Sequence, residues 1–461
     1  MNKKLFKNGI VLTLDEAIGD FKKADVLVEG TKIVEVKPHL ELSDCEVIDA
    51  SNMIVMPGFV DTHRHTWESV VRNVGADWSL QKYLSSIYYG NIGSKRTPQD
   101  DYIANLLGAL EALDAGVTTL LDWSMIISPD HAEEMIRGLQ ESGIRAVFAH
   151  GCPGDGDYWH RESKRHNGED ARRIKQKYFS SKDQLLTMGL AIRGPEFCSW
   201  ETSVEEIRLA RELDALCSMH LGFGTWGAAD RSIEKLHRAG LLGPDLNFAH
   251  ANAVSPEEMK MLAEEGGSVS VTPEIEMMMG HGYPATGLAV ENGVRPSIGV
   301  DVVTSTGGDM FAQMKFTLQA ERSRVNETIL ASGEMPGPPL HISAREILEF
   351  ATVEGAKALL LEDKVGTLTP GKEADIIMIR TADLNMFPVN DPIGAVVQCA
   401  HTGNVDSVFV AGQAVKRNGK MVNVDMERVR HLAVQARDSI FEKYGHPDGA
   451  WLVGADRSSM V

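Results

Sequence analysis

The amino-acid sequence predicts an α/β protein: a (β/α)8 barrel of the TIM type joined to a small β-sandwich domain built from both chain ends. Three observations carry this. Eight apolar strand-like runs fill the middle of the chain, most of them separated by helical patterns. Short strands and turns return at both ends. The middle runs carry their polar, chemistry-bearing residues where they stop.

Residues 1–56 contain LFKNGIVLTL, ADVLVEGTKIVEV and CEVIDASNMIVM, with a hairpin turn at Glu29-Gly30-Thr31. They make the first part of the small domain. Residues 365–425 repeat the texture in ADIIMIRT and VDSVFVAGQAVKRNGKMV, where Ala411-Gly412-Gln413 closes a second hairpin. The barrel occupies 57–364. Its strands are read at 59–65, 117–123, 145–151, 186–195, 215–222, 246–252, 268–273 and 295–301. Between two of them SPEEMKMLAEEG begins a helix, with Ser255 as N-cap, Pro256 in the first turn and Glu258 completing a capping box. No G-x-G-x-x-G follows any strand, so a dinucleotide-binding open sheet lacks support. Within Ile127–Gly168, the polar, Gly-rich run GCPGDGDYWHRESKRHNGED reads as part of a long loop over the barrel mouth, a candidate lid. Residues 426–461 form an amphipathic C-terminal helix and a tail.

Composition narrows the function classes. The 461 residues carry a formal net charge of −19, which argues against nucleic acid and anionic membranes as partners. The basic, then apolar N-terminus is too soon interrupted by acids for a signal peptide, and no run reaches transmembrane length. The five cysteines are scattered and odd in number, without C-x-x-C, as expected of a reducing cytoplasm.

The stretch PGFVDTHRH ends the first barrel strand with His63 and His65 at i and i+2, hence on one face. His220 ends the fifth strand, His250 the sixth and Asp301 the eighth. Barrel active sites are built at these carboxyl ends. Three histidines and an aspartate offer nitrogen and oxygen ligands suited to Zn²⁺, Fe²⁺ or Mn²⁺.

With these residues in place the sequence resembles the amidohydrolase superfamily, in its branch of aminohydrolases and chlorohydrolases acting on purines, pterins, cytosine and s-triazines. PGFVDTHRH, His220, His250, Asp301 and VGTLTPGKEADIIMI from Val365 carry the likeness, which covers essentially the whole chain. The resemblance implies that His63, His65, His220 and Asp301 hold one divalent transition metal per chain, zinc first, with iron or manganese as alternatives. It places His250 beside the activated water and the substrate, with Asp301 as proton shuttle. The expected activity is hydrolysis of a carbon–nitrogen bond in a small, cyclic molecule. A homo-oligomer, dimer or higher, is also expected.

One departure keeps a non-hydrolytic lyase, an isomerase or a metal-binding scaffold open as alternatives. Deaminases of this branch usually carry a glutamate three residues after the fifth-strand histidine, where it protonates a ring nitrogen. Phe223 stands there instead. Cytosine, guanine and adenosine are therefore expected to be poor substrates, unless Glu274 or Glu276 reaches in from the seventh-strand loop. These two glutamates share one face if that segment stays extended. His281 follows in the same loop. Trp67, Asp122, Trp123, Arg193 and Glu196 lie at or near strand ends and are further expected pocket residues, Trp67 by stacking on a planar substrate.

Overall fold

In a computed structural model of the chain, residues 3–445 are described. Eight strands pair in sequence order: Phe59–Arg64, Val117–Trp123, Arg145–His150, Leu186–Ile192, Leu216–Leu221, Leu246–His250, Ser268–Val271 and Ser297–Ile298. Every pairing is parallel. The last strand meets the first through a bridge between Asp301 and Arg64, so the ring closes. Strands buried on both faces, as VTTLLDW and RAVFAH are here, are what a helix-covered parallel barrel requires.

The eighth strand is shorter than the apolar run suggested. Its ladder covers only Ser297–Ile298, because Asp301 has a φ of 69° and has left the extended region. The sixth strand ends for the same reason, with His250 at 79° and Ala251 at 55°.

Ile127–Gly168 is not one continuous loop. Pro129–Ser142 is a helix, started by Ser128-Pro129 and ended by Gly143 in a left-handed conformation, and the third strand follows it. The long irregular stretch is 151–167.

Both chain ends contribute to a second, mixed sheet of nine strands, in which Met53–Pro57 pairs antiparallel with Ile376–Arg380. It has its own core, in which Phe6 and Phe409 meet edge to face at 4.9 Å. Both expected hairpin turns are present, and they touch. A Cβ on Gly412, whose φ is 72°, would lie 2.4 Å from the Gly30 carbonyl oxygen. This sheet sits under the amino ends of the first barrel strands. The Gly58 amide donates to the Asp375 carbonyl, and the buried Arg145 makes a two-pronged ion pair with the Asp375 carboxylate at 2.9 and 3.0 Å. The opposite end of the barrel is left free for a site. The C-terminal helix, Met426–Tyr444, packs on the helix Pro98–Asp114, with Arg428 donating to the Tyr102 hydroxyl at 2.9 Å. The tail expected after it lies outside the described residues. Among the described residues no helix is long and apolar enough to cross a membrane.

Candidate active site

The carboxyl ends of strands one, five and eight bring four groups to one point. His65 Nε2 lies 3.3 Å from His220 Nε2. Asp301 Oδ1 lies 3.4 Å from His65 Nε2 and 3.5 Å from His63 Nε2. One ligand atom from each of the four falls within 4.8 Å of the others. Nitrogen and oxygen ligands about 2.0–2.1 Å from a tetrahedral metal are about 3.3 Å from one another. The spacing of these side chains fits a cation at their centre.

Their protonation fits as well. Burial, then neighbouring histidines, pushes His65 down to about 3 and holds His220 well below its ordinary range, so both rings are neutral and offer lone pairs. Burial opposes the charge on Asp301, but the hydrogen bond and charge of His63, with His250 and His65, outweigh it and keep the carboxyl far below the usual range.

The backbone prepares this arrangement. The His65 amide donates to the Asp301 carbonyl at 3.1 Å, and the Asp301 amide to the His63 carbonyl at 2.8 Å. The last strand passes so close that a Cβ on Gly299 would lie 2.8 Å from His63. Arg64, between the ligands, turns to the other side and reaches Asp61 at 3.2 Å and Glu111 at 2.9 Å.

His250 is held from behind. Its Nδ1 lies 3.1 Å from Thr272 Oγ1 and 3.4 Å from Glu276 Oε1, leaving Nε2 3.8 Å from Asp301 Oδ2. The segment after the seventh strand is a helix, Pro273–Met279, rather than extended chain. Two glutamates two residues apart on a helix face different ways. Glu276 points inward, fully buried, and its Oε1 accepts from the Thr272 amide at 2.9 Å. Glu274 points away and accepts from Gln313 at 2.8 Å. Burial pushes the Glu276 carboxyl up to about 7.

An inner cavity of about 40 Å³ opens over the ligands. His65, His220, His250 and Asp301 form its floor. Phe223 and His281 form one side, with ring centres 5.2 Å apart. His281 is buried, and among the described residues neither of its ring nitrogens has a partner. Burial and the neighbouring His250 push it down to about 3, so the ring is neutral.

The other expected pocket residues are placed variously. Trp123 stands behind the ligands, its ring centre 4.5 Å from that of His220. Trp67 is fully buried under the Arg96 guanidinium, 4.0 Å from its ring centre, and does not line the cavity, so no face is open for stacking. Asp122 is likewise away from the cavity and accepts from Asn105 and Ser124, each at 2.8 Å. Arg193 pairs with Glu206 at 2.7 Å and donates to the carbonyls of Tyr158 and Arg165, tying down the 151–167 loop. Glu196 lines an outer chamber.

The roof of the cavity has no counterpart among the expected residues. It consists of Leu80, Tyr83, Leu84 and Tyr88 from the helix Leu80–Ile87 and its C-cap, Trp159 from the 151–167 loop, and Phe197. The signal for that helix is Ser79, whose side chain caps the Lys82 amide ahead of the apolar positions 80, 83, 84 and 87.

Comparison with known proteins identifies the family. The profile described as Amidohydrolase family matches residues 54–415. A 5-methylthioadenosine/S-adenosylhomocysteine deaminase of Pyrococcus abyssi is 28% identical over 422 residues, covering 89% of this chain and 94% of that protein. A 5'-deoxyadenosine deaminase of Methanosarcina mazei is 28% identical over 446 residues, covering 95% and 98%. Among solved structures, a zinc-bound adenosine deaminase from Xanthomonas campestris superposes with a TM-score of 0.83 at 21% identity, over 95% of this chain and 98% of that one. A mutant atrazine chlorohydrolase from Arthrobacter aurescens, with zinc and atraton, reaches 0.81 at 20% identity, over 94% and 100%. The chain belongs to the amidohydrolase family, and is a metal-dependent hydrolase of carbon–nitrogen bonds in a small molecule.

Proposed function

We propose that the protein is a hydrolytic deaminase of a planar aminoheterocycle, with 6-aminopurine nucleosides as the first class to test. The observation that carries this is Glu276, buried behind His250 in a fold whose usual acid position is taken by Phe223. Deamination is expected to fail only where no seventh-strand acid serves the site, and Glu276, though it does not line the cavity, reaches Nδ1 of His250, which does. An acid that protonates the ring serves a leaving halide and a leaving amine alike, so Glu276 supports attack on a heterocycle without choosing the leaving group. The relatives named as adenosine-type deaminases support the same reading.

His63, His65, His220 and Asp301 would hold the metal, zinc in the first instance. When bound it supplies a water activated at neutral pH and a positive charge beside the carbon under attack. The protein's own groups do the rest. Asp301 holds the proton released from the attacking water and passes it to the departing amine. His250 gives a proton from Nε2 to the ring nitrogen while its Nδ1 takes one from the Glu276 carboxyl, which is protonated below about pH 7. His281, neutral and unpartnered beside Phe223, takes the hydrogen bond to substrate that a phenyl ring cannot make. Trp123 holds the His220 ring from behind.

Two attributes of the whole protein belong to the same proposal. The free thiols among the described residues support a cytoplasmic setting. Assembly as a homo-oligomer is read directly by light scattering.

The test is ammonia release by the metal-loaded enzyme from 5'-deoxyadenosine, 5'-methylthioadenosine, adenosine, cytosine and guanine. Turnover of at least one, lost in Glu276→Gln, is expected. No ammonia from any of them, or full activity in Glu276→Gln, overturns the proposal.

A further inference from the structure

Beside the four expected ligands stands a second group of metal-binding side chains. His250, His281 and Asp301 each offer a ligand atom, and the three lie within 4.8 Å of one another, the same limit that the first set meets. Asp301 belongs to both groups through different oxygens. Its Oδ1 faces His63 and His65, and its Oδ2 lies 3.8 Å from His250 Nε2. A carboxylate that turns one oxygen each way can bridge two cations, which in two-metal sites lie about 3.5–4 Å apart.

The two histidines are held for the purpose. The His281 carbonyl accepts from the Gly224 amide at 2.7 Å, which ties it to the loop after the fifth strand. Its ring centre lies 4.6 Å from that of His250. Among the described residues its ring nitrogens have no partner, a state that costs a buried polar atom about 1–3 kcal/mol. These nitrogens are closed to bulk water, as are those of His63. A bare cation held between ligand atoms needs no open surface. His250 is fixed on its far side, where Nδ1 lies 3.4 Å from Glu276 Oε1. Metal-bound histidines commonly give their other N–H to a carboxylate in this way. The further cluster of this kind among the described residues, Glu291, Glu321 and His341, is already served by the Arg324 guanidinium, 2.6 Å from both carboxylates.

The two sites differ in strength. The second has three ligands rather than four, and its one carboxylate is shared. A cation there meets the charge of its neighbour with no further anion among its ligands to offset it. We infer that His250, His281 and Asp301 Oδ2 form a second, weaker site for a divalent transition metal, and that filling it stops turnover. The site rests on the four-ligand assignment alone. Its effect rests also on the deaminase reading, in which His250 Nε2 carries the proton to the ring and His281 holds the substrate. A metal on those nitrogens takes both away.

The experiment titrates metal-free protein with Co²⁺, read by electron paramagnetic resonance, with bound metal counted at equilibrium dialysis. Two Co²⁺ ions bridged by a carboxylate couple magnetically. The first equivalent should give a full signal, and the second should diminish it rather than add to it. In His281→Phe and His281→Ala the first equivalent should bind as before, which also reports folding, and no coupling should follow. With Zn²⁺, ammonia release should fall about 100-fold as the second equivalent binds, the scale of lost general acid help. No second equivalent, a second that adds to the signal, or coupling kept in both variants overturns the site. Turnover unchanged with both ions bound overturns its effect. If no compound releases ammonia with the first site alone filled, the deaminase reading fails by itself, and the coupling decides the site.

Discussion

His65, His220, His250 and Asp301 form the floor of the cavity with His63 beneath it, all at strand ends, those of the first and last strands tied by backbone hydrogen bonds. Tyr83, Tyr88, Trp159 and Phe197 form its roof, on a short helix and on loops that cross the barrel mouth. The floor is placed by the barrel itself, so its geometry is as rigid as the sheet. The roof meets it chiefly through side-chain packing. The proposed reading puts the chemistry in the rigid part and the choice of substrate in the part that can vary without unmaking the barrel.

The contrast is tested most severely on the floor. His63→Ala or His220→Ala should remove most of the bound metal and all measurable turnover, because each is one of the four proposed ligands. Elemental analysis showing metal retained in both variants would break the assignment. Asp301→Asn should keep more metal than either while lowering kcat by a thousandfold or more, since an amide cannot carry the proton.

Glu276→Gln sits between floor and roof. It should lower kcat about 10²–10³-fold with metal content kept. Loss of metal instead would show that Glu276 supports the ligand layer rather than the proton path.

On the roof the effects are smaller. Leu84→Ala widens the passage between the two chambers. It should lower KM for bulkier N-substituted heterocycles about threefold to tenfold with kcat unmoved. A fall in metal content there would contradict the separation of floor from roof.

The smallest effect is on stability. Burial, then the charge of Asp309, raises the Glu274 carboxyl from its ordinary 4.5 to about 7. A raised acid favours its protonated form in the fold, so its contribution is full below about pH 4.5 and is lost as pH rises through 7. Glu274→Gln cannot ionise. Its Tm relative to the wild type should rise by about 1–3 °C between pH 5 and pH 8. A pH-independent difference would mean that the carboxyl is not strained by its site.

The floor was legible in the sequence, and the roof was not. An H-x-H at the end of an apolar run, with single polar residues closing three later runs, puts five such side chains at one end of an alternating β/α barrel, where ordinary packing has no use for them. Glu276 was half legible. Its neighbourhood is extended by local pattern alone, although Thr272-Pro273 and Gly280 mark the start and end of a short helix. As a helix, PEIEMMM turns Glu276 and Met279 inward and leaves Met277 and Met278 exposed, as found. Arg193 and Trp67 were drawn to the pocket by position alone. Their side chains are claimed by partners far along the chain, Glu206 and Arg96, which no local pattern announces. His131, whose sequence context suggests a surface residue, is buried and lies 3.1 Å from the Arg96 carbonyl for the same reason.

Asp301 sits at a φ of 69°, a conformation that side chains other than glycine, asparagine and aspartate adopt at a cost. The position is therefore doubly restricted, once by the proposed proton chemistry and once by backbone shape. Alanine or a branched residue there would disturb the turn that aims the carboxylate as well as removing it, and a lost activity could be blamed on either. Asparagine accepts the same turn. Among replacements that keep a side-chain oxygen there, it alone separates what the carboxylate does from how the chain presents it.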